Sequence, residues 1–228
     1  MRAKRTLPAR SRKRKILLVD DHPMIREGLA RLINQQADLM VCGEAGAASE
    51  AMKLIYSAKP DLAIVDLSLG GRSGLELIKD MGVSHPDVLI LVMSMHDELL
   101  YAERMLRAGA AGYVMKQAGG ETVLQAIRDV LGGKLYVSGK MSRKILAGFS
   151  SQKPRGSSSP VEKLSDREFE VFQLIGRGKS TQDIAKELRL SPKTVDVHRG
   201  HIKEKLELKD AISLIRHAVR WVETESGG

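Results

Sequence analysis

Four apolar runs in the first half of the chain each end on a residue suited to ionic or phosphoryl chemistry. Ile16-Leu17-Leu18-Val19 ends on Asp20-Asp21, and Leu62-Ala63-Ile64-Val65 on Asp66. Residues 88–93 end on Ser94, and residues 112–115 on Lys116. If the runs are parallel strands of an α/β sheet, their carboxyl ends line one crevice. Three carboxylates, a hydroxyl and an ammonium then meet in a single cleft. Clustered acids suit a hard divalent cation with oxygen ligands, Mg²⁺ above all. A metal beside a carboxylate and a lysine suits phosphoryl transfer, where positioning and charge neutralisation do most of the catalysis. Taken singly the signals are weak. Asp20-Asp21 reads equally well as a helix start, since acids favour helix N-termini. Lys116 alone reads as a solvated lysine, and Tyr113 as an ordinary aromatic. Their joint placement carries the reading.

The elements that must position these groups follow from hydrophobic periodicity. Apolar runs at 16–19, 40–44, 62–66, 88–93 and 112–115 alternate with amphipathic stretches near 24–34, 48–57, 74–81, 98–108 and 121–131. Five strand–helix units with short links predict a doubly wound parallel sheet. The near-continuous apolar runs fit strands covered on both faces. Residues 150–160, Ser-Ser-Gln-Lys-Pro-Arg-Gly-Ser-Ser-Ser-Pro, form a polar linker, with a short helix near 140–149 before it. After Leu164 the pattern is helical throughout. Ser165-Asp166-Arg167-Glu168 is a capping box opening one helix, which Gly176 or Gly178 stops. Ser180 opens a second helix ending near Leu190. Ser191-Pro192 starts a third that runs to about Leu206, proline favouring the first helical position. A fourth spans about 210–222. Two helices joined by a tight turn, the second with a polar face, match a helix-turn-helix.

Composition bounds the function. The 228 residues allow two ordinary domains, and 43% hydrophobic content suffices for packed cores. The net charge is +9. Its excess lies outside the periodic segments: residues 1–15 hold eight Lys/Arg and no acid, and 138–160 hold five and none. The charge therefore says little about either domain. One cysteine, Cys42, forbids an intrachain disulfide, fits a reducing cytoplasm and reads as a buried small hydrophobe. No apolar stretch approaches the roughly 18 residues of a membrane span, and no signal-peptide h-region is visible. The expected location is cytoplasmic, with no membrane partner.

In this order and spacing the motifs resemble the two-component response regulators of the NarL/FixJ type over about residues 16–222. Leu-Leu-Val-Asp20-Asp21-His22-Pro23, Ile-Val-Asp66-Leu67-Ser68-Leu69, Met93-Ser94-Met95-His96 and Ala108 to Lys116 carry the resemblance in the first domain. Leu164 to Glu168, Ile184-Ala185 and Ser191 to Arg199 carry it in the second, a LuxR-type helix-turn-helix. The implied fold is α/β plus all-α: a receiver with strand order 2-1-3-4-5, then four helices. The implied division is a basic disordered tail at 1–15, a receiver at 16–137, a linker at 138–163 and a DNA-binding domain at 164–224. The resemblance makes Asp66 the phosphoacceptor from a sensor histidine kinase. Asp21 becomes a direct Mg²⁺ ligand, Asp20 a ligand through water, and Asp66 and the Ser68 carbonyl complete the set. Lys116 pairs with a phosphoryl oxygen, Ser94 hydrogen-bonds it, and Tyr113 rotates inward behind it. Gly70, Gln117 and Met95 depart from common receiver residues, Gln117 by removing a cis-proline, but none removes a reacting group. The resemblance further implies that the unphosphorylated receiver covers the recognition helix and that phosphorylation yields a homodimer on double-stranded DNA.

At about 100° per residue, Val195, Ile202 and Leu206 share one face of the third helix, with His198 and Arg199 on its flanks. Lys193, Val197, Gly200, His201 and Glu204 lie roughly opposite, with Asp196 and Lys203 at one edge. That outer face is the expected major-groove surface. Lys193, Thr194, Arg199 and Lys203 suit phosphates or base edges, and Val197 a thymine methyl. Asp196 is read first as an ion pair orienting Arg199 or Lys193, and second as an acceptor for a cytosine amine. His198 and His201 lack the further ligands of a metal site. The expected function is a DNA-binding transcriptional regulator switched by Mg²⁺-dependent phosphorylation of Asp66, not an enzyme on an external substrate. A Mg²⁺ phosphatase would want an acid at Ser68. A protein-contact adaptor is separated from a DNA-binding regulator by gel shift.

Overall fold

The computed structural model describes residues 12–69, 74–95, 97–150 and 160–226. Five parallel strands form one sheet in the order β2-β1-β3-β4-β5: β1 (Arg14–Val19), β2 (Leu39–Ala45), β3 (Leu62–Val65), β4 (Leu89–Ser94) and β5 (Gly112–Met115). Helices α1 (Pro23–Asn34), α2 (Ala48–Ala58), α3 (Gly74–Ser84), α4 (Glu98–Arg107) and α5 (Gly120–Leu131) connect and follow them. This is the doubly wound architecture and strand order that the sequence implies. Successive strand residues go to opposite faces. Ile16, Leu18, Ile64, Leu91 and Val114 pack with α1 and α5. Leu17, Val19, Ala63, Val65, Val92 and Tyr113 pack with α2, α3 and α4.

A sixth helix, α6 (Gly139–Ser150), follows the receiver and bonds back to it, Lys144 Nζ donating to the Leu99 carbonyl at 2.9 Å. After a short 3-10 turn at Pro160–Lys163 come α7 (Asp166–Gly176), α8 (Thr181–Glu187), α9 (Pro192–Lys205) and α10 (Ala211–Ser226). Their starts are locally encoded. Ser165 and Glu168 form a reciprocal capping box, as do Ser180 and Asp183, and Ser191 caps α9 with Pro192 at the first position. Among the described residues no helix is long and apolar enough to cross a membrane.

Three details differ from the sequence reading. β1 begins at Arg14, inside the expected tail, because Asp61 accepts from the Arg14 guanidinium at 2.8 Å and from the Lys15 backbone N–H at 2.7 Å. Cys42 is half-buried rather than buried. The largest difference is that the two domains share a core. Tyr101 on α4 meets Phe169 on α7 edge-on at 5.4 Å, and Phe169 meets Trp221 on α10 in the same way. Arg104 stacks over Phe169 at 4.7 Å and donates to the Leu164 carbonyl. The outer part of the tail, Gly70 and most of the 150–160 linker lie outside the described residues.

The loop after β3 is fixed by close approach. The Gly74 N–H donates to the Leu67 carbonyl at 3.0 Å, and a Cβ at Gly74 would sit 2.2 Å from the Asp66 carbonyl oxygen. Gly74→Ala should therefore destabilise the fold by about 1–3 kcal/mol. Gly28→Ala, where a Cβ meets nothing within 4 Å, should hold or gain stability through helix propensity. Thermal unfolding followed by circular dichroism checks the pair. Equal melting temperatures would show that the Asp66 loop yields freely.

Candidate phosphoryl and metal site with an adjoining helical interface

The carboxyl ends of β1, β3, β4 and β5 converge as their order requires. Lys116 Nζ lies 2.7 Å from Asp66 Oδ2 and 2.7 Å from Asp20 Oδ2, and all three side chains are buried. Asp21 stands beside them. Ligand atoms of Asp20, Asp21, His22 and Asp66 lie within 4.8 Å of one another. His22 Nδ1 hydrogen-bonds Asp20 at 3.1 Å and lies 2.8 Å from Asp21 Oδ1. Among the described residues, Oδ1 of Asp66 is buried without a hydrogen-bond partner. A buried, unanswered carboxylate oxygen beside two further acids fits a hard divalent cation.

Electrostatics distinguish the roles. Burial raises the pKa of Asp66, assisted by the neighbouring Asp20 charge, even though Lys116 works against it. Burial also acts to lower Lys116, but its bonds to Asp20 and Asp66 outweigh that and hold it above the ordinary lysine range. Lys116 is thus a fixed cation next to a carboxylate that is costly to keep ionised.

Ser94 is fully buried at the end of β4, and Tyr113 on β5 is fully buried behind it. The two are hydrogen-bonded, while burial drives the Tyr113 phenol far above its ordinary range. Tyr113 therefore already points inward here. Ser68, whose carbonyl the resemblance makes a metal ligand, follows in the loop and lines a cavity of about 150 Å³ beside Asp21.

On α9, Val195, Ile202 and Leu206 are buried, Val197 is 48% exposed, and a Cβ at Gly200 would meet nothing within 4 Å. Lys193, Asp196 and His201 are exposed, while Thr194, Arg199 and Lys203 are partly covered. The expected Asp196 ion pair with Arg199 or Lys193 is absent among the described residues. Arg199 instead donates to the Thr181 hydroxyl at 2.9 Å, tying α9 to the start of α8. The expectation that the receiver covers the recognition helix also fails. The receiver packs on α7 and α10 through Tyr101 and Arg104, and the outer face of α9 is left open.

Two site residues escaped the sequence reading. Arg26 donates to the Asp20 carbonyl. Arg189, just after α8, places a guanidinium nitrogen 2.8 Å from Asp21 Oδ2. Arg26 gave no signal beyond its place on the helix that follows Asp20-Asp21. Arg189 gave none, being remote in sequence.

Comparison with known proteins agrees with this architecture. Residues 16–128 match the response regulator receiver domain, and residues 162–218 match the bacterial regulatory proteins of the luxR family. The chain is 36% identical over 206 residues to the response regulator GacA of Pseudomonas aeruginosa, covering 90% of this chain and 95% of that one. It is 37% identical over 210 residues to the oxygen regulatory protein NreC of Staphylococcus haemolyticus, covering 90% and 97%. RcsB of Salmonella enterica serovar Typhimurium, solved bound to promoter rprA in the presence of phosphomimetic BeF3-, superposes with a TM-score of 0.61 at 25% identity, covering 91% and 99%. The chain belongs to the NarL/FixJ family of two-component response regulators, with a receiver and a LuxR-type DNA-binding domain.

The raised pKa of Asp66 has a consequence for stability. A carboxyl that is harder to ionise when folded costs stability above its folded pKa, and the cost fades as pH falls toward the ordinary value of 3.8. Asp66→Asn removes that cost, while Lys116 keeps Asp20 as a partner. In EDTA at pH 7 the variant should melt a few degrees above wild type, about 1 kcal/mol corresponding to roughly 2–4 °C in a chain of this size. The gap should narrow as pH is lowered. A variant less stable than wild type at pH 7 would show that the Lys116–Asp66 bond outweighs the burial cost.

Proposed function

We propose that this chain is a transcriptional regulator whose DNA binding is switched by phosphorylation of Asp66 from a phosphohistidine on a sensor kinase. The observation that carries the reading is Lys116 bonded at 2.7 Å to both Asp66 and Asp20, with Asp66 Oδ1 buried and unpartnered beside them. That free oxygen is the nucleophile. It forms a bond to phosphorus as the phosphorus–nitrogen bond of the donor breaks, and the imidazole leaves with the electron pair. Lys116 exchanges its carboxylate contact for a phosphoryl oxygen and balances the charge that spreads over the transferred group. Ser94 supplies a hydroxyl to the same group once its bond to Tyr113 is given up. Asp20, Asp21, Asp66 and the Ser68 carbonyl are the residues that would hold Mg²⁺, which when bound neutralises carboxylate and phosphoryl charge together. Hydrolysis of the acyl phosphate returns Asp66, so the chemistry serves signalling.

The output is recognition of double-stranded DNA by a homodimer, with α9 in the major groove and each protomer on one half-site. Lys193, Thr194, Asp196, Val197, Arg199, Gly200, His201 and Lys203 are the residues proposed to face DNA. Arg199, held by Thr181, serves best at the groove edge. The DNA-bound RcsB structure supports this reading by analogy of fold.

Two experiments test the two halves. Incubated with acetyl phosphate and Mg²⁺, the wild type should gain one phosphoryl group by intact mass and Asp66→Asn none. A mass gain on the variant would move the acceptor elsewhere. For the DNA half, Gly200→Leu should hold or raise the melting temperature, since glycine costs roughly 1 kcal/mol inside a helix. It should also weaken binding to a mapped cognate site at least tenfold, because the new side chain projects into open space on the groove-facing side. Unchanged affinity would remove Gly200 from the interface and reverse the assigned orientation of α9.

A further inference from the structure

We propose that Arg189 is a latch. In the closed chain its guanidinium takes the place of a metal ion at Asp21, so that metal binding in the acidic pocket and closure of the DNA-binding domain onto the receiver oppose each other. The inference rests on reading that pocket as the metal site.

The seam beside Asp66 is built from both domains. The cavity of about 150 Å³ there is lined by Asp21, Ser68 and Leu69 from the receiver and by Glu170, Glu187 and Arg189 from the DNA-binding domain. Most of the charges contributed by the second domain are answered within it. Arg167 pairs with Glu170 at 2.6 Å, and Lys179 with Glu187 at 3.5 Å. Arg189 crosses the seam instead and lies 2.8 Å from Asp21 Oδ2. The Asp21 side chain is only 9% exposed, whereas that of Arg189 is 62% exposed. The carboxylate is thus a fixed receptor, and the arginine a cation that reaches it from solvent.

A guanidinium and a metal ion at one carboxylate compete for the same negative charge, and their own positive charges repel each other. The acid cluster holds more negative charge than Lys116 alone can balance, so in the closed chain Arg189 supplies part of the missing cation. A divalent ion neutralises the cluster better and, once bound, weakens the hold of the carboxylate on Arg189. Coupling of this kind is reciprocal: closure weakens metal binding, and metal weakens closure by the same factor. Arg189 is largely exposed, so its pair with Asp21 is a screened one and the factor is small.

The backbone suggests the variant to use. Arg189 has φ +53°, a left-handed conformation that asparagine tolerates. Arg189→Asn therefore removes the cation and keeps the turn, and Arg189→Gln repeats the loss of charge with a longer side chain should the first variant fold poorly. The readouts are the dissociation constant for Mg²⁺ alone, by titration calorimetry of the full chain at low salt, and the emission of Trp221, the chain's one tryptophan. Trp221 contacts the seam through Phe169.

Removal of Arg189 should tighten Mg²⁺ binding about two- to fivefold. Saturating wild type with Mg²⁺ should shift Trp221 emission to longer wavelength along the same binding curve. Equal Mg²⁺ affinities in wild type and variant would overturn the latch and leave the metal site intact. Weaker binding in the variant would make Arg189 a supporting residue and overturn the latch as well. Absence of any Mg²⁺ binding by either protein would overturn both the latch and the metal reading on which it rests.

Discussion

The structure depends on one electrostatic constraint: carboxylates brought together at the ends of a parallel sheet must be held against their own repulsion. Two unit charges 4 Å apart interact by roughly 4 kcal/mol at an effective dielectric of 20. Lys116 meets this by bonding Asp20 and Asp66 at once. The strand order explains why a lysine does so. Lys116 follows β5, two strands from β3 and three from β1, and only a long flexible stem ending in a compact charge spans that distance. The apolar runs of β1, β3 and β4 then serve a second purpose. Buried on both faces, they fix the strand ends, and so the acids, with little freedom to drift apart.

A core that continues from one domain into the next makes the effector part of the receiver's surroundings. Tyr101 belongs to α4, which packs on β5, the strand that carries Tyr113. Phe169 and Trp221 extend that packing to α7 and α10. A rearrangement of Ser94 and Tyr113 at the acidic pocket would thus be felt at α4 within one layer of side chains, and at the helical domain within two. What closure covers is the α7 and α10 side of the DNA-binding domain, while α9 stays open. Any restraint that this conformation places on the helical domain therefore comes from how that domain is held, not from shielding the outer face of α9.

Much of this was legible in the sequence because it is locally encoded. Ser165 with Glu168, Ser180 with Asp183, and Ser191-Pro192 mark helix starts through bonds spanning three residues. Apolar runs ending on Asp20, Asp66, Ser94 and Lys116 mark strand ends because polarity changes abruptly there. The angular reading of α9 separated buried Val195 and Ile202 from exposed Val197 for the same reason. What stayed hidden was non-local. Phe169, Tyr101 and Trp221 each look like core residues of their own domain, and nothing nearby says that they meet. Arg189 looks like a solvated charge. The extension of β1 to Arg14 depends on Asp61, 47 residues away. The Arg199 bond to Thr181 depends on the angle between two helices, which periodicity does not give.

Magnitudes decide how the two contacts across the seam divide their work. Moving a two-state equilibrium from 1:99 to 99:1 takes about 5.5 kcal/mol of differential interaction. An ion pair with one largely exposed partner, such as Arg189–Asp21, contributes about 1 kcal/mol. The greater part of closure must come from apolar burial around Tyr101, Phe169 and Trp221, where each edge-to-face aromatic pair adds roughly 0.5–1.5 kcal/mol beyond its buried area. Charge at the pocket can therefore bias closure but cannot by itself undo it. Any full switch would also have to disturb α4, beneath which lies the buried Ser94–Tyr113 hydrogen bond.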